Sequence, residues 1–424
     1  MQRHTGEKPL ECDIFNHGVK FCGMSINAIA FADDITIIAK CKTDLQYLID
    51  MAHRYSVKWQ FKFNPKKCMV LIYGTDQQRD MEIMLGKDKI SISDCEPHLG
   101  SVLATTPKLA QDFLHKRIQA CQKVCYAIQS LGSKTVPMTP AISDKVYKSV
   151  CLPKLCYATE IMDIEPKSLE LMENFHVEKA KMFQGLPKNA CNTGSLLTMG
   201  WPTMEATLDI NKLMFIWRIL MLPMSSIYKL IMIRRVMEFI TMPVDTKKTG
   251  PVWNILSRCK KYGLLNVIVD AVQYGKYVMP NEWKRLVKDT VLSNDLKRLK
   301  VTSQLFKSLE MLNIQPMQNH TMLTWWTFAK VAPWEINKCR MMARILINTY
   351  RMGKEPCSYC SDGSSNSTTH VLFMCEEVKL TREKLWKKLL EACPEQMQME
   401  MGHMPAQARA KFVLNALNGK FITE

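Results

Sequence analysis

Four residues toward the C-terminal end have the types and spacing of a metal clasp. Cys357 and Cys360 stand two residues apart, His370 follows after nine more, and Cys375 after another four, giving C-x2-C-x9-H-x4-C. Three thiolates and one imidazole form a donor set that tetrahedral Zn2+ prefers, and four protein ligands close the coordination shell, so the predicted role is structural. The Cys-x-x-Cys turn supplies two ligands from one knuckle. The polar run 361–369 lets the chain return, and His370-Val371-Leu372-Phe373-Met374-Cys375 is expected to open a helix with an apolar side. Two unrelated thiol pairs would give the same spelling in a chain with 16 cysteines. A redox Cys-x-x-Cys is disfavoured because no βαβ pattern surrounds it.

A second set is acidic. Asp33 and Asp34 separate two β-rich stretches within Ser25–Ala39, which predicts a hairpin with acid at its tip. Carboxylates held on a stiff turn are what two-metal nucleotidyl transfer needs, since they fix divalent ions against the triphosphate and the attacking hydroxyl. Neighbours on a regular strand face opposite sides, so one Asp would meet the metals and the other would support it. Asp is also a favoured turn residue, and the pair taken alone reads as turn chemistry.

A third set is basic. Between Lys40 and Lys67 there are seven Lys/Arg and two Asp, with Lys58, Lys62, Lys66 and Lys67 the candidates for phosphate contacts. Trp59, Phe61 and Phe63 in this stretch can stack on bases or pack inward; alternation with Gln60 and Lys62 favours packing for the two phenylalanines. The 424-residue chain carries 57 Lys+Arg against 40 Asp+Glu, a balance of +17 that calls for a polyanionic partner. No apolar run approaches the ~20 residues of a bilayer span, and the best stretch, Ile219 to Tyr228, contains Pro223. The start of the chain lacks an apolar signal core, so an intracellular location, nuclear or cytoplasmic, is expected, with cysteines mostly as thiols.

The elements that would position these sets follow from periodicity. Leu45, Leu48, Ile49, Ala52 and Tyr55 predict a helix capped at Thr43-Asp44 and ending near Trp59. Strands are predicted at 69–73, 89–92 and 98–103. Beyond about residue 105 helical spacing dominates, beginning with Leu109, Phe113, Ile118, Val124 and Ile128. Pro and Gly punctuate it at 137–140, 185–187, 200–202 and 249–251. The expected fold class is α+β, mostly α.

Phe31-Ala32-Asp33-Asp34, flanked by apolar strands, resembles the Phe/Tyr-Ala-Asp-Asp box of reverse transcriptases from non-LTR retrotransposons. In matching order, Asn64-Pro65-Lys66-Lys67-Cys68 resembles the family's Asn-x-x-Lys-(Ser/Cys) motif, and His98-Leu99-Gly100 its (Tyr/His)-Leu-Gly motif. Pro153-Lys154-Leu155-Cys156-Tyr157-Ala158 and Gly185-Leu186-Pro187 resemble landmarks of the helical region, and the clasp continuing to Trp386 resembles the family's zinc-binding tail. The resemblance spans residues 18–390. It implies a partial palm at 18–105 after a tail at 1–17, a helical thumb or connection region at 106–248, a basic helical region at 249–345, and a zinc-binding module with its tail at 346–424. It further implies RNA and DNA as partners, Lys66 near the incoming nucleotide, and Mg2+ at Asp33 and Asp34 once a palm is complete. The family's polymerases need a further metal-binding Asp and fingers elements ahead of this box, and only 32 residues precede Asp33. The chain alone is therefore expected to be inactive, its missing polymerase portion belonging to a longer product. The alternative is a non-enzymatic, zinc-dependent nucleic-acid-binding protein derived from such an element. His4-Thr5-Gly6-Glu7-Lys8-Pro9 spells the linker between two-Cys two-His fingers, but Phe15 stands where the second cysteine belongs, which marks a vestige.

Overall fold

The computed structural model describes residues 17–21, 23–74, 81–130, 138–242, 250–315, 317–350, 355–361, 363–391 and 394–416. The finger-linker sequence lies outside them. The fold is mostly helical α+β with small sheets, and the chain forms two compact units. The first comprises Met1–Leu114, Ile216–Leu256 and Val267–Lys276; the second comprises His115–Phe215, Ser257–Asn266 and Tyr277–Glu424. No helix among the described residues is long and apolar enough to cross a membrane.

In the first unit, strands β1 (Val19–Phe21) and β2 (Met24–Ile26) pair as one hairpin, and β3 (Ala28–Phe31) and β4 (Asp34–Ile37) as a second. Helix α1 (Lys42–Lys58) follows, then β5 (Met69–Val70), β6 (Ile83–Leu85) and β7 (Asp88–Ile92), with β7 antiparallel to β6 and parallel to β5. Ile49 on α1 joins Val70, Ile83, Leu85 and Ile90 in the core, with Ile37, Leu45 and Phe63 packed against them. Gln46 fixes the helix to the sheet: its amide donates to Met84 O at 2.8 Å and accepts from Met84 N–H at 2.9 Å, as a neighbouring strand would.

Three local expectations need correction. Cys41 occupies the N-cap position of α1 without a side-chain capping bond, and Asp44 lies in the first turn, where unpaired N–H groups favour an acid; there it pairs with His17 Nδ1 at 2.8 Å. Tyr55, counted on the inner face of α1, is exposed. The expected strand 98–103 is broken into β8 (Cys95–His98) and β9 (Ser101–Ala104), because Leu99 and Gly100 both take positive φ, +50° and +76°, the signature of a two-residue type I′ turn.

Helix α2 (Pro107–Ser130) is followed by α3 (Pro140–Val146) and α4 (Leu152–Cys156), which are joined by a widened helical turn over Tyr147–Cys151. Next come α5 (Pro166–Gln184), α6 (Asn192–Met199), α7 (Met204–Leu220), α8 (Ile227–Thr241), α9 (Pro251–Lys261), α10 (Leu265–Tyr274) and α11 (Pro280–Gln304). After α12 (Thr324–Val331) and α13 (Ile336–Leu346) come α14 (Lys379–Glu391), α15 (Glu395–His403) and α16 (Ala406–Ala416), the last helices among the described residues. The buried stripe of α2 in the second unit runs through Arg117, Cys121 and Cys125. The predicted stripe through Ile118 and Val124 is only half-buried.

Aromatic stacking organises the centre of the second unit. Trp201, fully buried, stacks on Tyr147 at 4.6 Å and on His176 at 4.7 Å, and its indole N–H donates to Asp144. Tyr147 O–H donates to His176 Nδ1 at 2.9 Å while His176 Nε2–H donates to Pro202 O at 3.1 Å, so both ring nitrogens are satisfied in the neutral imidazole. Burial pushes His176 down to about 4, whereas an unfolded histidine titrates near 6.5. The unfolded state therefore gains a proton that the folded state refuses, and stability is lost as pH falls from about 6.5 toward 4. Burial pushes Glu173 up to about 7, which gives the opposite slope above pH 4.5. The difference between wild type and His176→Gln isolates the histidine. We expect the variant to lose less stability between pH 6.5 and 4, by on the order of 3 kcal/mol from the size of the shift, as measured by denaturant unfolding at each pH. Equal slopes in the two proteins would contradict this.

Candidate functional site

The clasp residues converge. Pro356 bridges Ser365 in antiparallel fashion, with Cys357 N–H donating to Ser364 O at 2.8 Å and Asn366 N–H to Glu355 O at 2.7 Å. This short hairpin presents the Cys-x-x-Cys knuckle. His370 opens a wide five-residue helical turn through Met374 rather than a regular helix, which begins only at Lys379. Its N–H is held by Ser367 Oγ at 3.0 Å, and the turn closes with Cys375 N–H donating to His370 O at 2.8 Å.

All four donor atoms lie within 4.8 Å of one another. Cys357 Sγ is 3.9 Å from Cys375 Sγ, and Cys360 Sγ is 3.3 Å from His370 Nε2. Zn–S bonds of about 2.3 Å and Zn–N bonds of about 2.0 Å at tetrahedral angles give edges of about 3.8 Å for S···S and 3.5 Å for S···N. These two separations are close to those edges and all others stay within 4.8 Å, so the Cys3His group could hold a metal ion such as zinc. Burial opposes ionisation of the Cys357 thiol. The backbone N–H groups of Tyr359 and Cys360, with the neighbouring Cys360 and Cys375 thiols, outweigh it and bring Cys357 down to about 7. A thiol so lowered is near the thiolate form that a metal binds.

The shell around the clasp ties it to the helices. Arg382 Nη1 donates to Cys375 O at 2.8 Å, Phe373 meets Trp386 at 5.3 Å, and Leu372 packs against the apolar core that contains Trp325 and Trp326.

The acidic pair sits where a hairpin was predicted. Phe31 pairs with Asp34, leaving Ala32 and Asp33 as a two-residue loop in which Ala32 takes φ +54°. Asp33 is thus a turn residue and only Asp34 belongs to a strand, which corrects the picture of two alternating strand carboxylates. Both are exposed. A left-handed alanine costs roughly 1–2 kcal/mol, strain concentrated at the tip that carries the acids. Among the described residues, the clasp is the only group of three or more His, Cys, Asp or Glu donors that converges, so no third carboxylate joins Asp33 and Asp34 there.

The cations line one stretch. Lys58 ends α1, Lys62 lies on the extended segment beyond it, and Lys66 and Lys67 occupy a tight helical turn, Pro65–Lys67, in which Asn64 Oδ1 accepts from Lys66 N–H at 3.1 Å. All four are exposed. Phe63 packs on the core as expected, but Phe61 does not bury with it. Tyr55 is exposed beside these residues although its place in the helical repeat reads as inward; its nearness to the helix end is the signal that sets it apart.

No protein-family model matches this sequence, and no curated protein matches it. Purified protein is expected to carry one zinc per chain, absent from both Cys357→Ser and Cys375→Ser, as read by elemental analysis of unchelated samples. A wild-type stoichiometry near zero would remove the assignment.

Proposed function

We propose that this chain is a nucleic-acid-binding protein of non-LTR reverse-transcriptase lineage, comprising the end of a palm, a helical region and a zinc-stabilised tail. It binds RNA and DNA but does not polymerise by itself. The observation that carries the reading is the Phe31-Ala32-Asp33-Asp34 box at the tip of a two-stranded hairpin, in the same chain as a converged Cys3His clasp. The motif order between these points supports it. Gly185 takes φ +67° to end α5, and Arg344 clamps its carbonyl at 2.6 Å; Ala158 takes φ +56° just after Tyr157, whose carbonyl is held by Arg117. Each of these landmark sequences thus includes a left-handed residue at or just past the end of a helix.

Two-metal transfer needs carboxylates that grip the ions from more than one side, and an adjacent pair on one turn supplies one side. In a complete palm, Asp33 and Asp34 would hold Mg2+ and Lys66 would lie near the nucleotide. Apart from such a palm, the exposed Lys58, Lys62, Lys66 and Lys67 serve phosphate contacts. The non-enzymatic reading uses the same residues without a polymerase site.

Two measurements test the proposal. Affinity for RNA or DNA should fall steeply with salt, and charge reversal of Lys58 and Lys62 should flatten the slope by about one for each phosphate no longer neutralised. Purified protein should show no primer extension on an RNA template. Extension abolished by Asp33→Ala would overturn the inactive assignment, and salt-independent or absent binding would overturn the nucleic-acid reading.

A further inference from the structure

The end of α1 holds three aromatic rings that the core does not use. The helix stops at Trp59, and Gln60 takes a left-handed conformation at φ +57°. Phe61 N–H donates to Ser56 O at 3.0 Å and Gln60 N–H to Val57 O at 3.3 Å, the paired bonds that close a helix when the residue past its cap is left-handed. The reversal folds Phe61 back over the last turn, 6.2 Å from Tyr55, which stands 6.0 Å from Trp59. Trp59 is 63% exposed, Tyr55 58% and Phe61 39%. Phe63 supports Phe61 from below, edge-on at 5.2 Å, and anchors it to the core.

So large a group of neighbouring rings facing water marks a contact surface rather than ordinary exposure. The segment that carries the rings identifies the partner's charge. Arg54, Lys58, Lys62, Lys66 and Lys67 are all exposed, and residues 54–67 contain no acid. Cations that can follow a phosphate chain, interleaved with open aromatic faces, are the two components of a surface for unpaired bases. A duplex offers the phosphates but keeps its base faces stacked away.

We infer that Tyr55, Trp59 and Phe61 form a stacking platform for single-stranded nucleic acid, with Lys58 and Lys62 on the adjoining phosphates. The inference rests on the nucleic-acid reading above and adds which strand state is preferred and by what contacts. Stacking reads π-faces rather than base edges, so the preference is tolerant of sequence.

The test uses the full chain and fluorescence anisotropy with labelled oligo(dT), oligo(U) and a mixed-sequence duplex, each roughly 15 units long, within the span of single-strand sites. Wild type should bind the single strands at least about tenfold more tightly than the duplex. Tyr55→Ala/Trp59→Ala should remove about tenfold or more of the single-strand affinity, leaving duplex affinity and the salt slope unchanged. Trp59→Phe, which keeps a ring, should retain most of the single-strand affinity. These side chains are exposed, and far-UV circular dichroism verifies that the variants fold. Unchanged single-strand affinity in the double variant would overturn the platform while leaving the proposed function standing. Absence of binding by wild type at low salt would overturn both. A double variant that turns a dimer into a monomer without altering nucleic-acid affinity would assign the rings to contact between copies and also overturn the platform.

Discussion

Three cysteine sulfurs and an imidazole, those of Cys357, Cys360, Cys375 and His370, converge within 4.8 Å of one another, and the described residues between Glu355 and Val378 are arranged around that convergence. These residues include an antiparallel bridge and two short helical turns. Structural zinc sites contribute about 10–16 kcal/mol, comparable with the whole net stability of an ordinary domain. An ion bound with that strength would fix the knuckle and the turn at His370 together. Arg382 Nη1 donates to Cys375 O, which ties the clasp to the start of the C-terminal helices.

Where the clasp is closed and inward-facing, the cationic end of the first unit is open. The hairpin at Phe31–Asp34 exposes Ile29, Phe31 and Ile35 as well as its acids. Beside the tight turn at Lys66 and Lys67, the end of α1 turns its rings outward. The two left-handed residues of this region, Ala32 and Gln60, stand at the places where the chain reverses to present acids or rings. Backbone strain is thus stored next to the groups with binding chemistry and is held there by the small core under α1 and β7.

The parts of this arrangement that are legible in the sequence are those set by local spacing. Ligand order in the clasp follows from residue types alone, and the hairpin at Asp33-Asp34 follows from β-branched residues on either side of a turn former. The periodicity places helix α1 nearly to the residue. Its inner face is less legible, since Tyr55 satisfies the helical repeat but is exposed while its neighbour Ser56 is buried. The stripe on α2 is likewise displaced onto Arg117, Cys121 and Cys125, because buried cysteines and a buried arginine do not register as apolar periodicity. The stack of Trp201 on Tyr147 and His176 joins residues far apart in the chain, so no window along the sequence contains it. The break at Leu99-Gly100 turns on a leucine in a conformation that local rules reserve for glycine or asparagine.

Zinc K-edge X-ray absorption on the purified protein tests the central claim most directly. The account requires a four-coordinate shell of three sulfurs at about 2.3 Å and one nitrogen at about 2.0 Å. A shell of oxygen or nitrogen alone would contradict it.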